Sequence, residues 1–231
     1  MFTKKFLTAT LAAMFLLPTN VFAAPAEIQF AMPNFMATLT VMDALHQRKS
    51  DRKYSDQTLT KAQLSKILWS ANGVNREKEH KRVYPVAKGV YSVEVYAVMH
   101  SGIYLYDAEN HKLVLVADGD FRALTTTGQE FASKAPLNLV YVETPKAWDT
   151  LKKVPSREEQ LAFSNIAVGA MVQSAALAAQ TEGIGNCVRG SINREQFKLV
   201  AKLSPEKTIL LAQSFGFPEE PLPEKDGRRR R

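Results

Sequence analysis

The sequence predicts an α+β fold, because helix-like and strand-like segments alternate irregularly and most of the predicted strands are joined by tight turns. The chain of 231 residues is 45% hydrophobic and 23% charged, as a globular protein is. Without a leader about 200 residues remain, enough for one large domain but not for two. We therefore expect one domain over residues 24–218, after a leader (1–23) and before a tail (219–231).

The first 23 residues have the three parts of a secretory signal peptide. A basic start with two lysines precedes an apolar stretch from Phe6 to Leu17, and residues 21–23 suit signal peptidase. The apolar stretch is too short to span a membrane. We expect cleavage before Ala24, a periplasmic or secreted protein, and no stable membrane insertion after the leader is removed.

Positive charge is concentrated at the two ends of the chain. The formal net charge is +7, and the leader and the terminal run of arginines carry most of that excess. Setting both aside leaves about +1 for the body. Because no basic patch remains, we predict no nucleic-acid partner.

The motifs of several enzyme classes are missing from the sequence. The histidines share no metal-ligand spacing, which argues against a metal site. No nucleophile elbow or Walker loop occurs. Cys187 is the only cysteine and cannot form an internal disulfide; beside glycines, it is better read as a small buried residue than as a nucleophile.

In the first half of the chain, helical spacing gives way to strand patterns. Residues 36–47 and the capped segment from Thr60 to Gly73 are predicted helices. Residues 74–89 are polar and irregular. Strands at 93–99, 103–106 and 113–116 follow, joined by turns, so we predict a β meander in the middle of the domain.

The second half is dominated by one long helix. A helix at 121–133 and a buried strand at 137–142 lead to a helix over 157–180, whose many small residues allow another helix to approach closely. We expect this helix to be central and buried. A glycine-rich turn (183–190), a helix (193–203) and a strand (208–213) complete the domain.

Three segments together have the chemistry to bind a phosphorylated planar ligand: the basic run at 48–52, a Pro-Val-Ala-Lys-Gly turn at 85–89 and the glycine turn after the long helix. The run Arg48-Lys49-Ser50-Asp51-Arg52 can share the charge of a phosphate through charge-assisted hydrogen bonds, and the glycines of 183–190 let main-chain N–H groups approach a ring edge. The basic run could equally be a solvated helix end, and the glycines could form an ordinary turn. The residues alone leave these alternatives open.

Five segments in order resemble the nitroreductase family of flavin enzymes, most closely its azoline dehydrogenases, which act on peptides. The resemblance covers about residues 39–218. It is carried by the basic run, a leucine- and tryptophan-containing helix, a proline turn followed by Glu-Val-Tyr, a small-residue helix with its glycine turn, and a closing Gly-Phe-Pro. These segments are 48–52, 67–73, 82–96, 169–185 and 213–218.

The resemblance implies a homodimer with a central, mostly antiparallel sheet flanked by helices and two FMN sites at the subunit interface. It implies a ping-pong cycle, in which a donor such as NAD(P)H reduces the flavin and a nitroaromatic, quinone or related acceptor, or a peptide azoline in the reverse direction, reacts next. No catalytic side chain is required. The alternative is a non-catalytic flavin-binding module, or a cofactor-free one, that retains this fold.

The resemblance also assigns FMN-binding residues. In the basic run, Arg48 and Ser50 bind the phosphate and ribityl chain, with Lys49 beside them, and Arg52 lies toward the N1/O2 edge of the ring. The turn at Glu182, Gly183, Ile184 and Gly185 faces the ring near N5.

Two further assignments concern the partner subunit and the tail. Pro85, Val86 and Ala87 pack on the flavin of the other subunit, although Val86 stands where the family often has serine and so lacks a hydrogen bond. In the tail, where many relatives have a basic residue that reaches the phosphate, Arg228, Lys225 or neither would do so.

Overall fold

The structure is a computed structural model that describes residues 23–36 and 39–220. Residues 1–22 of the predicted leader and the tail residues Lys225 and Arg228 lie outside the described residues. The helices are α1 (Val41–Gln47), α2 (Lys61–Asn72), α3 (Glu130–Lys134), α4 (Arg157–Gln180) and α5 (Arg194–Val200).

Seven strands form a single antiparallel sheet in the order β1-β6-β5-β4-β7-β9-β8, and β2 and β3 form a small separate ribbon. The predicted α+β class is therefore confirmed. The strands are β1 (Glu27–Gln29), β2 (Val74–Arg76), β3 (Lys81–Arg82), β4 (Val93–Met99), β5 (Gly102–Asp107), β6 (Lys112–Asp118), β7 (Leu137–Glu143), β8 (Gly185–Arg189) and β9 (Thr208–Gly216).

Helices cover both faces of the sheet at β7, an interior strand whose residues are all buried. Leu139 of β7 belongs to a core shared with α2 and α4, whereas the next residue, Val140, belongs to a core shared with Phe197 of α5. Successive side chains of a strand point to opposite faces, so a strand covered on both sides is apolar throughout.

Reciprocal side-chain caps start three of the helices. Thr60 accepts a hydrogen bond from the main chain of Gln63, and the Gln63 side chain accepts one from the main chain of Thr60. Thr40 and Ser156 begin α1 and α4 in the same way. These caps satisfy N–H groups that a helix leaves unpaired, which is why the starts of α2 and α4 lie where the sequence predicts them.

Helix α4 has the length and hydropathy of a membrane span. Val168, Met171 and Ala175 on one face are nevertheless buried, and the helix packs against α2. The expected central position is confirmed, but the opposite face is not covered within one chain, since Ile166 is 71% exposed.

Two predicted elements are wrong. The helix expected over 121–133 is split into a short 3-10 turn at Arg122–Thr125 and helix α3, because Gly128 between them has φ +74°. Residues 185–189, expected within a turn, form strand β8 and pair with β9. The tight turn is limited to the end of α4, where Gly183 has φ +69°.

The N-terminal strap, residues 23–36, is tied to the edge of the sheet and to α2. Its strand β1 pairs with β6, and Phe30 is buried. His111 lies beneath the strap, with Nε2 at 2.8 Å from the Ser65 hydroxyl and Nδ1 at 2.7 Å from the Tyr106 hydroxyl. Burial lowers the pKa of His111, so this histidine is a neutral structural residue.

Candidate functional site

The basic run leaves α1 and is joined to strand β8 through its middle residues. Helix α1 ends where the Arg48 N–H donates to the Ala44 carbonyl at 2.9 Å. Ser50 then forms a parallel bridge with Asn186 of β8, and the Asp51 N–H donates to the Asn186 carbonyl at 2.9 Å. Tyr54 forms an antiparallel bridge with residue 218. The structure thus brings the basic run, the first residues of β8 and the closing proline together.

Asp51 fixes the approach of the run to β8. Its side chain is buried against Gly185, where an added Cβ would lie only 2.7 Å from Asp51 Oδ2. Burial raises the pKa of Asp51, and the nearby Lys49 ammonium, 3.6 Å away, opposes that rise. A side chain at position 185 would therefore push the basic run away from β8.

A cleft of about 240 Å³ lies along the run. Lys49, Ser50, Arg52 and Lys53 line it, together with Asp51, Pro218 and Glu220. The lysine, arginine and hydroxyl donors suit a phosphate group, which accepts several charge-assisted hydrogen bonds at once. The residues present therefore fit the phosphate end of a nucleotide-like cofactor.

Arg48 and Arg52 are the guanidinium groups of this region. Neither forms an ion pair with any residue that the structure describes. Arg52 is exposed and donates only to the Ser50 carbonyl at 3.5 Å, and Arg48 is half-buried at the start of the run, outside the lining of the cleft. Both remain available to an anion.

The turn after α4 uses its N–H groups internally. Glu182 N–H and Ile184 N–H donate to the Ala179 carbonyl, each at 3.0 Å, and Gly183 N–H donates to the Gln180 carbonyl at 3.1 Å. The carbonyl groups of the turn are thus the main-chain groups left to meet a ring. The Ile184 side chain is fully buried in the core.

The Glu182 side chain forms an ion pair with Lys66 of α2. Both side chains are mostly buried. This contact links two segments that the sequence resemblance treats separately, and sequence reasoning did not find it. It ties the turn after α4 to the second turn of α2.

The proline turn lies on the surface of the single chain. Pro85 is exposed, Val86 and Ala87 are half-buried, and Lys88 has φ +55°. Within the described residues no hydrogen bond or ion pair joins this turn to the basic run. Its assignment to the partner subunit's flavin stays a prediction.

Other reactive side chains do not form a second centre. Within the described ranges no group of three or more His, Cys, Asp or Glu residues could hold a metal ion. Cys187 is 2% exposed, and burial raises the pKa of its thiol. The expectation that Cys187 is a buried structural residue is confirmed.

Comparison with known proteins gives consistent matches. The family model described as "Nitroreductase family" matches residues 45–217. A protein of Methanocaldococcus jannaschii named as a candidate nitroreductase is 28% identical over 182 residues, covering 73% of this chain and 87% of its own. A candidate nitroreductase of Ralstonia eutropha is 32% identical, with a TM-score of 0.77 over 85% of this chain and 91% of that one.

A third match concerns the fold alone. A candidate nitroreductase of Desulfovibrio desulfuricans, solved in complex with FMN, is 18% identical. Its TM-score is 0.57, over 84% of this chain and 92% of that one.

Proposed function

Because the chain belongs to the nitroreductase family, we propose that it is an FMN-dependent oxidoreductase acting by ping-pong hydride transfer. The donor is a reduced compound such as NAD(P)H, and the acceptor is a nitroaromatic, a quinone or a related compound. The observation that carries this proposal is the cationic cleft at Lys49, Ser50, Arg52 and Lys53. The FMN complex of the Desulfovibrio desulfuricans neighbour supports the choice of cofactor.

Bound FMN supplies the hydride chemistry, and the residues of this chain bind it, orient it and tune its charge. Lys49 and the Ser50 hydroxyl hold the phosphate and ribityl end, with Arg48 at the margin of the cleft. Arg52 lies toward the ring edge where reduction places negative charge, so its guanidinium favours the reduced state. This scheme requires no side chain to act as an acid or a base.

The uncovered face of α4 supports a homodimer. Ile166 of α4 and Val41 and Met42 of α1 are 71%, 68% and 72% exposed, and α1 packs against α4. Exposed apolar side chains on two helices that pack together are typical of an interaction surface. In the dimer this surface would meet its copy, and Pro85 to Ala87 would reach the partner's flavin.

We expect the mature protein to be an obligate dimer. Its interface should bury more than about 2,000 Å², as permanent homodimers do. Sedimentation velocity at micromolar concentration should show one dimeric species. A stable monomer that still binds FMN would contradict the shared site.

The predicted leader, with its cleavage residues 21–23, supports export before FMN is bound. The cofactor would then be acquired outside the cytoplasm. Mass spectrometry of the secreted chain checks this, and the expected mature N-terminus is Ala24. A smaller acceptor and a peptide azoline that reacts in the reverse direction are both predicted substrates, and this measurement does not distinguish them.

One absorbance experiment tests the proposed function. The purified protein, mixed with FMN and separated from the excess, should be yellow, and its flavin absorbance should bleach with NADH or with dithionite under anaerobic conditions. Menadione or nitrobenzene should restore the absorbance. A protein that binds FMN but is never reoxidised by these acceptors would be the non-catalytic module, and one that does not bind FMN would be the cofactor-free one.

A further inference from the structure

A second cavity, the strap cavity, lies between the N-terminal strap and helix α2 and has a volume of about 480 Å³. Met32, Pro33 and Met36 of the strap form one side, and Lys61 and Lys66 of α2 form the other. Glu182 of the turn after α4 also lines it. This volume is within the range of small-molecule sites.

The wall that the strap contributes is held in place by specific contacts. The Ser65 hydroxyl donates to the Ala31 carbonyl at 2.8 Å, and the Phe35 ring packs edge-on against Trp69 at 5.2 Å between centroids. The strap precedes residue 45, where the match to the family model begins. The strap wall of the cavity therefore lies outside the matched family region, whereas the α2 wall and Glu182 lie within it.

The charges of the cavity do not cancel. Lys66 is paired with Glu182, whereas Lys61 forms no ion pair with any residue of the described ranges. Lys61 also lies in the first turn of α2, where no acidic residue accompanies it and the helix dipole disfavours a cation. One positive charge is left to face an anionic ligand.

The strap wall is mostly apolar and adaptable, with Asn34 as the one polar side chain among its lining residues. Methionine side chains have several rotatable bonds and a polarisable sulfur, and they pack against ligands of varied shape. Met32 and Met36 are 52% and 83% exposed, so a bound apolar body would cover them. The cavity thus offers an apolar wall opposite a single unpaired ammonium group.

We propose that the strap cavity is the acceptor subsite, and that it selects a small, mostly apolar molecule carrying one carboxylate or sulfonate group. This inference rests on the proposed function, because Glu182 belongs both to this cavity and to the turn assigned to the flavin ring. The acidic group of the acceptor would lie against Lys61, and its apolar body against the strap methionines.

The test isolates the reaction of the acceptor from the unknown donor. FMN-loaded protein is reduced with dithionite and mixed anaerobically with 4-nitrobenzoate or with uncharged 4-nitrobenzamide, and flavin reoxidation is followed by stopped flow. We expect about threefold to fivefold preference for the benzoate at low ionic strength, because exposed ion pairs contribute little more than this. High salt should reduce the preference, since it screens exposed charges.

Substitutions at Lys61 should change the ratio of the two acceptors. Lys61→Gln should bring the ratio near one and Lys61→Glu should invert it; the glutamate favours the start of α2 and so preserves folding. Lys152→Gln, at an exposed lysine outside the cavity, is the matched control and should leave the ratio as it is. Equilibrium dialysis measures the binding of 4-nitrobenzoate to each oxidised protein without turnover. The affinity should be highest for the parent and Lys152→Gln, lower for Lys61→Gln and lowest for Lys61→Glu.

The outcomes separate this inference from the proposed function. If none of 4-nitrobenzoate, 4-nitrobenzamide and menadione reoxidises the flavin, the proposed function fails, and the acceptor subsite fails with it. If menadione reoxidises the flavin and neither nitro compound does, the proposed function stands and the acceptor subsite fails. If both compounds react and bind equally well, or if Lys61→Glu keeps the preference for the benzoate, the proposed function stands and the strap cavity is not the acceptor subsite.

Discussion

Arginines on two touching segments of the chain have opposite surroundings. Arg189, at the end of β8, is 4% exposed. Its guanidinium donates to the Thr125 carbonyl at 2.7 Å, to Asn138 Oδ1 at 2.8 Å and to Ser214 Oγ at 3.0 Å. Arg52 lies on the run that bridges to the start of β8, yet it is exposed and its one hydrogen bond is long.

This difference separates a structural cation from one available to a ligand. Arg189 forms no ion pair in the described part of the chain, and burial lowers its pKa, but neutral oxygens satisfy its donors. Arg48 and Arg52 keep donors free at the edge of the same sheet. Residue type alone does not distinguish the two cases, whereas the number of satisfied donors does.

The largest expected effect is on stability, from Arg189→Met. The variant leaves the Thr125 carbonyl buried without its donor and removes one of the two hydrogen bonds that the Asn138 oxygen accepts, which should cost about 3 kcal/mol in the free energy of unfolding. Urea denaturation of the apoprotein measures this loss. Arg189→Lys, which keeps one donor group, should lose less. An unchanged midpoint for Arg189→Met would mean that the cost of burying the charge cancels the gain from its hydrogen bonds.

The next effect is on cofactor affinity, from Arg48→Ala. Loss of a charge-assisted contact should weaken FMN binding about tenfold to a hundredfold, with little change in the stability of the apoprotein. Flavin fluorescence titration measures the affinity. Arg76→Ala, at an exposed arginine of β2, is the control and should bind FMN as the parent does. If Arg48→Ala binds FMN as tightly as the parent, Arg48 is only a solvated helix end.

The smallest effect concerns the pH dependence of stability. It arises at Asp51, whose side chain contacts Gly185 and so joins the basic run to β8. Burial raises the pKa of Asp51 above its usual 3.8, so the folded chain binds this proton more tightly than the unfolded chain. The contribution of Asp51 to stability is therefore largest below pH 3.8 and is lost as pH rises through the folded pKa. Above the folded pKa, burial of the ionised Asp51 carboxylate lowers the stability of the folded chain, and Asp51→Asn removes this cost.

Urea titrations at pH 4 and pH 7 check this. The stability of Asp51→Asn relative to the parent should increase from the lower pH to the higher one. A constant difference would show that the Lys49 ammonium fully compensates the burial of the carboxylate.

Elements with local signals were the predictable part of the fold. Helix α4 has a cap at Ser156 and spans the predicted residues 157–180, because capping and helical spacing act between residues a few positions apart. The prediction of one helix over 121–133 was wrong, because the left-handed backbone of Gly128 interrupts it. The hydrophobic spacing of the segment as a whole resembles a helix and does not show this break. Strand β8 was missed because two glycines near its ends resemble turn chemistry, and pairing with β9 overrides that tendency.

The candidate site likewise has one part that local sequence predicts and one part that depends on long-range contacts. The basic run could be found because its donors are adjacent in the sequence. The Asp51 contact with Gly185 and the Lys66 ion pair with Glu182 could not, because each joins residues more than a hundred positions apart. Arg189 gave no signal, since a lone arginine beside glycines is usually a surface residue.

The amino-acid sequence by itself determined the α+β class, the long helix, the family resemblance and the positions of the donors that suit a phosphate, because each depends on spacing along the chain. Only the tertiary structure decided which arginine is buried, that Lys61 has no ion pair among the described residues, and that the strap and α2 enclose a cavity. Burial and pairing depend on the register of the sheet, which brings β8 beside the basic run and Glu182 beside Lys66. That register results from the packing of the whole domain, so no single segment encodes it.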